Sequence, residues 1–188
     1  QAIKAAAIIL GEAPTHETDA ALELIVGAHA RYSVSLEDEH VLGEQLDAIR
    51  SNVDEDVSLV FILAHDVEMD PADVRSLIAH FETVDRLGLL IPDRVSGVMG
   101  NDIAEVSISA IVDSPCVVLR ASALAEVGGF DVGFASIAVL ANLARALRRR
   151  DWKIQAAEEV VVEDPADEET VALTAGWAAT DLCGREVA

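Results

Sequence analysis

Three carboxylates, Asp66, Glu68 and Asp70, fall within the segment HDVEMDP at 65–71. They come directly after 59–63, LVFIL, the clearest apolar strand of the chain. Hard cations such as Mg2+ and Mn2+ prefer carboxylate oxygen and keep coordination sites for substrate phosphates. An acidic segment at the end of a buried strand is therefore a candidate site for a divalent cation and a diphosphate. Asp66 and Glu68 are the candidate metal ligands of such a site, and Asp66 a candidate cofactor-binding residue; the alternative is an acidic start to a capped helix with no ligand. Asp70 has a plainer explanation, because an Asp before a first-turn proline (here Pro71) caps a helix without any ligand.

Other polar residues carry weaker signals. His65, beside Asp66, is either a ligand or phosphate donor or a solvent-facing histidine at a strand end. His16, His29, His40 and His80 are scattered without metal spacing. Ser114 and Ser122 lie in no Gly-x-Ser-x-Gly elbow, and GVMG at 97–100 is too short for a dinucleotide loop. Arg145, Arg148, Arg149, Arg150 and Lys153 form a basic cluster. It either holds an anion, a diphosphate or a lipid head group, or complements the dipole at a helix C-terminus. Cys116 and Cys183 match no zinc or redox spacing; Cys116 reads as a small core residue, and a reducing compartment is the default. Trp152 and Trp177 read as packing anchors before sugar platforms.

The elements that must position these groups alternate. Residues 3–10 read as a buried strand, 17–30 as a helix, 32–36 as a strand and 41–51 as a helix. Residues 59–63, apolar on both faces, predict a central parallel strand. A helix over 71–81, a strand at 87–91 and a loop over 93–104 follow. Residues 106–112 alternate weakly and 116–119 are apolar; either is a strand. A short helix at 122–127 ends on Gly128 and Gly129, and a longer one spans 136–150. Residues 152–156 and 160–162 return to a sheet edge, and the tail from Pro165 reads as an amphipathic helix that packs on the rest. Such alternation predicts an α/β sandwich with a mostly parallel central sheet flanked by helices. The domain boundaries read as 1–164 for the main domain and 165–188 for the helical tail.

Composition removes whole classes of function. Thirteen basic against 34 acidic residues give a net charge of −21 over 188 residues. Nonspecific binding to nucleic acid or to anionic lipid needs the opposite sign. Apolar residues make up 52% and aromatics 4%, so the core is aliphatic, and a mean hydropathy of +0.33 is too high for a chain kept open by charge. The longest apolar run is far short of the ~18 residues that cross a bilayer. The sequence starts at Gln1 without Met, which reads as a fragment of something longer or a trimmed chain, and it shows no signal-peptide pattern. The expected setting is cytoplasmic, with a membrane-associated parent protein left open.

The run LVFILAHDVEMDPADVRSLIAHFE resembles the metal-binding strand of family 2 glycosyltransferases, where an apolar strand ends in an Asp-x-Asp type motif. Downstream, SPCVVLRASALAEVGGFDVGF resembles that family's acceptor-side segment, with Gly128-Gly129-Phe130-Asp131 its most specific part. A third stretch, ANLARALRRRDWKIQAAEEVVVED, resembles the helix and strand that follow. The resemblance covers about 41–164 and implies the GT-A fold. It also implies a nucleotide-sugar donor, a divalent cation (Mg2+ or Mn2+) and transfer of the sugar to an acceptor hydroxyl. Asp38 is then the candidate contact to the nucleotide base, Arg148 and Arg149 candidates for the diphosphate, and Asp131 the weak candidate for the catalytic acid or base.

The departures from the family pattern fall on its reactive groups. If Asp66 is the last Asp of the motif, the first falls on Ala64. The family's acidic pair, the Asp-Leu step and the arginine fall on Val139, Leu140, Asn142, Leu143 and Ala146, and no Asp or Glu occurs between Phe134 and Arg150. The late ligating histidine falls near Glu163 or Asp164. These replacements imply a domain that has lost sugar transfer and serves assembly or regulation, through a protein partner or self-association. The alternative is an active metal-dependent transferase in polysaccharide or glycolipid synthesis.

Overall fold

A computed structural model describes residues 3–11, 16–25, 30–34, 42–93, 106–134 and 137–161. Its elements are β1 (Ala5–Leu10), α1 (His16–Ile25), β2 (Arg31–Val34), α2 (Leu42–Asn52), β3 (Leu59–Ala64) and α3 (Pro71–Thr83). Then come β4 (Leu87–Asp93), α4 (Ile108–Val112), β5 (Cys116–Arg120), α5 (Ala121–Glu126), α6 (Ala138–Arg148) and β6 (Lys153–Val161). The six strands form one sheet in the order β2-β1-β3-β5-β4-β6. β1 pairs in parallel with β2 and β3, and β4 with β6, while β5 is antiparallel to both β3 and β4. Five strands therefore point one way, and their C-terminal ends share one rim.

Strand β3 is buried on both faces, as its unbroken apolar sequence requires. Val60 and Ile62 join one core cluster; Leu59, Phe61 and Leu63 join the other. The first cluster is covered by Leu42 and Leu46 of α2, Ile111 of α4, Leu124 of α5, and Val139, Leu140 and Leu143 of α6. The second is covered by Ala21 and Leu22 of α1 and by Val74, Leu77 and Phe81 of α3. Ser76 Oγ donates to Glu159 Oε1 (3.0 Å) and His80 Nε2 lies 2.5 Å from the same oxygen, so α3 is tied to the edge strand β6. Arg120 closes the N-terminal rim: its Nε donates to Leu87 O (2.8 Å) and its Nη2 to Phe81 O (2.7 Å).

Two local expectations are revised. The weakly alternating segment 106–112 is not a strand: Ser107 accepts from Ala110 N (3.1 Å) and caps helix α4, whose Ile111 packs under α6. A serine cap outweighs a short, imperfect alternation. The two returns read at 152–156 and 160–162 are one strand, β6, with irregularities against β4 between Leu87 and Leu89 and between Pro92 and Asp93. The tail 165–188 lies outside the described residues.

The Gly-Gly-Phe-Asp turn is held by α2. Asp47 Oδ1 accepts from Phe130 N (3.2 Å) and from Arg50 Nε (2.7 Å). The Arg50 guanidinium and, against the opposing effect of burial, the Phe130 amide hold the Asp47 carboxyl below the usual carboxylate range. Gly128 and Gly129 have φ of 92° and 91°, the left-handed region. A Cβ on Gly129 would come within 2.4 Å of Asp47 Oδ1 and 2.6 Å of Arg50 Nε, whereas one on Gly128 meets nothing within 4 Å. Both Gly→Ala changes carry the strain of positive φ, of order ~1–3 kcal/mol. In urea unfolding, Gly129→Ala is expected to lose at least ~1 kcal/mol more than Gly128→Ala, because it also breaks the clamp; equal losses would show that the clamp contributes nothing. The lowered Asp47 carboxyl sets a pH dependence as well. Its contribution is full above the unfolded value near ~4 and is lost as pH falls through the folded value. Asp47→Asn should remove that part of the acid-side slope, read as urea midpoints between about pH 6 and pH 3.

Candidate functional site

The rim turn after β3 is fixed by its backbone. Ala64 N donates to Pro115 O (2.8 Å), His65 N to Leu10 O (3.1 Å) and Val67 N to Ala64 O (3.3 Å). Beyond it the chain alternates: Val67 and Met69 are buried, while Glu68 and Asp70 are exposed and Asp66 half-buried. Thr18 of α1, fully buried, reaches across to this segment. Its hydroxyl donates to Val67 O and accepts from Met69 N (3.2 Å), so both peptide groups flanking Glu68 are pinned. Asp66 thus stands at the C-terminal rim of a middle strand, where α/β sheets bind ligands.

His65 lies over Gly11, where an added Cβ would sit 2.8 Å from its Nδ1, and Gly11 has φ of 105°. The same Nδ1 is 4.0 Å from Asp66 Oδ1, and the histidine side chain is 44% exposed. The ring faces water beside the carboxylate. Asp70 is committed to structure: its Oδ1 accepts from Ala72 N (2.6 Å) and Asp73 N (2.9 Å), and Asp73 Oδ2 accepts in turn from Asp70 N (3.1 Å), a full capping box.

Asp131 is also engaged. Its Oδ1 accepts from Gly133 N (2.9 Å) and its Oδ2 from Asn142 Nδ2 of α6 (3.1 Å), so the acid braces its own loop against the helix. On α6, Val139, Leu140 and Leu143 are buried in the core. The positions matched to the family's acidic pair therefore point into protein, and Asn142 offers an amide where that match places an Asp.

The basic cluster does not join Asp66. Helix α6 runs back toward the N-terminal rim, and β6 starts there: Lys153 N donates to Arg86 O (2.8 Å), just before β4 begins. Arg148 is spent on the backbone carbonyl of Val106, and Arg149 caps the helix. Arg148 and Arg149 therefore sit a strand's length from Asp66 and Glu68. Asp38 falls outside the described residues. Cys116 is fully buried, and burial pushes its thiol far up, so it is no nucleophile at neutral pH.

A divalent cation needs several oxygen donors converging on one point. Among the described residues no three His, Cys, Asp or Glu side chains gather in that way. Asp66 and Glu68 alone do not meet the requirement. Sequence reading missed two residues that shape this region. Asp47 was half legible, since Asp47 and Arg50 have the i,i+3 spacing of a helical ion pair. Its bond to Phe130 and the reach of Thr18 to Val67 span 83 and 49 residues and leave no local signal.

No protein-family model matches the sequence, and no curated protein matches it significantly. Solved structures match well. Glucosyl-3-phosphoglycerate synthase from Mycobacterium tuberculosis, in complex with Mg2+ and UDP, superposes with a TM-score of 0.62 at 13% identity over 96% of this chain and 79% of that one. Its complex with Mn2+, UDP and phosphoglyceric acid gives 0.63, also at 13% identity, over 96% and 78%. TarS of S. aureus gives 0.55 at 11% identity over 99% of this chain and 41% of that one. The fold is GT-A. These neighbours are glycosyltransferases, and at such identities the likeness is one of architecture. Among the described residues no helix is long and apolar enough to cross a membrane.

Thr18 gives the site its sharpest test. Thr18→Val keeps the shape but strands a buried carbonyl and a buried N–H, which costs about 1–3 kcal/mol. Thr18→Ser should recover most of that loss. Urea unfolding measures the stability, and amide exchange at Met69 should accelerate in Thr18→Val alone. If both variants exchange as the parent does, the hydroxyl does not hold the rim.

Proposed function

We propose that this chain is a GT-A domain that has given up sugar transfer and serves as an assembly or regulatory module. The observation that carries this reading is helix α6. Where the family resemblance calls for an acidic pair, Val139 and Leu140 lie in the core, and no Asp or Glu occurs between Phe134 and Arg150. Inverting transfer needs a group to take the acceptor proton. A leucine cannot accept one. Asp131, the nearest acid before the helix, already accepts two hydrogen bonds from Gly133 and Asn142. Residues 1–164 form the working domain in this reading, and 165–188 a helical tail on it.

One observation favours the second reading, an active transferase. Asp66 and Glu68 stand at the sheet rim, and the synthase neighbours are complexes with Mg2+ or Mn2+ and UDP. An active domain would take Mg2+ or Mn2+ with a nucleotide-diphosphate sugar. Sugar release from UDP-, GDP- and dTDP-sugars, assayed with Mn2+ and a range of acceptors, separates the two. No turnover above the uncatalysed rate is expected, and Asp66→Ala should change nothing. Calorimetry with UDP, GDP and dTDP, with and without Mn2+, completes the test. Micromolar metal-dependent binding and turnover, both abolished by Asp66→Ala, would establish the transferase.

A further inference from the structure

Strand β6 ends the sheet order, and among the described residues no strand pairs with its far side. Along a strand the N–H and C=O of one residue point the same way, and those of the next point back. Lys153 N donates to Arg86 O (2.8 Å), so Lys153, Gln155 and Ala157 turn their peptide groups toward β4. Ile154 and Ala156 turn theirs outward. Burial follows this division. Ala157 is fully buried, whereas Ile154 and Ala156 stay partly exposed although their side chains pack on the core. The sheet therefore presents a row of open main-chain groups, the template on which another strand can form.

Charge decides which strand. At the start of β6 the exposed Arg149, Arg150 and Lys153 outnumber the exposed Asp151; at its end Glu158 and Glu159 are exposed. Glu159 is engaged by Ser76 and His80 of α3, whereas Glu158 makes no ion pair among the described residues. Charged side chains and irregular pairing on an edge keep a second copy from adding to it. Here β6 carries both, and two chains of net charge −21 also repel at long range. The features that turn away another copy attract a basic strand. Antiparallel pairing is the more stable per residue, and it sets the first residues of an added strand beside Glu158.

We propose that the outer edge of β6 takes an extended segment of another protein, with cations in its first residues, which pairs with the main chain of Ile154 and Ala156 and sets those cations beside Glu158. Main-chain bonds supply the affinity in such an addition, and side chains the specificity. The proposal rests on the assembly reading and names the chemistry of its partner.

Amide hydrogen exchange of the full chain tests this. In the free chain Ile154 and Ala156 should exchange faster than Gln155 and Ala157. Equal protection of all four would mean that the edge is already covered, and overturns the proposal. The probe is the peptide Lys-Val-Lys-Val-Thr-Val, acetylated and amidated. Adding it should slow Ile154 and Ala156 at least about tenfold. Glu158→Lys should weaken binding at least about tenfold and leave the urea midpoint in place, since Glu158 is exposed. N-methylating the peptide on its valines, or on its other residues instead, separates strand pairing from charge. One pattern blocks the side that faces β6 and should abolish binding; the other blocks the far side and should keep it. No slowing by the peptide, equal binding of the two methylated forms, or unaltered binding by Glu158→Lys overturns the proposal. So does equal binding of the same peptide with Glu in place of Lys. Amide exchange reports the edge and sugar release the assembly reading, so the two fail separately.

Discussion

Both faces of the sheet are closed with aliphatic side chains, and that closure dictates where chemistry can occur. Ile8, Ile62, Val117 and Leu119 face one helical layer, and Ile9, Phe61, Leu63 and Val118 face the other. A polar side chain placed among them would lose its water without gaining a partner. Among the described residues the only buried polar or charged residue is Thr18, and its hydroxyl is satisfied by Val67 and Met69. Reactive groups are therefore confined to the rims. The five co-directed strands make the two rims different in kind. Asp66 and Glu68 stand where strands end, while the arginines of α6 stand where strands begin.

Several of the acids hold the fold. Asp70 caps α3, Asp47 holds the Gly-Gly-Phe-Asp turn, Asp131 braces α6 through Asn142, Asp19 receives Arg31, and Asp56 receives Lys4. A carboxylate whose oxygens are already committed to fixed donors is tied to its place in the fold. The family likeness in sequence and the structural role of these residues are thus in tension. Asp131 sits in the most family-like element of the chain and yet works as a brace, whereas Asp66 keeps a family-like place and stays partly open to water.

The sheet was legible because its signals are local. LVFIL needs no partner to read as a doubly buried strand, and Asp70-Pro71 needs none to read as a helix start; both are found as expected. Segment 106–112 misled because five residues of α4 are too few to show a helical period, and its cap is a single serine. The site was legible only in part. The place of Asp66 followed from β3, whereas the separation of Arg148 and Arg149 from it depends on the direction of α6, which composition does not carry. Asp47 and Thr18 act across gaps of 83 and 49 residues, and nothing at either end of such a contact marks the other.

Helix α6 shows how fully the aliphatic closure of the sheet is carried through. Acids buried beside a sheet carry a desolvation penalty unless a ligand or cation compensates it. Val139 and Leu140 instead join the cluster of Ile111 and Leu119, with nothing left to compensate. Active sites conflict with local stability by design, and removing the conflict leaves a more self-consistent core. At the opposite end of the helix, the exposed Arg145 and Arg149 follow the same logic of placement, since cations near a helix C-terminus are favoured by its dipole.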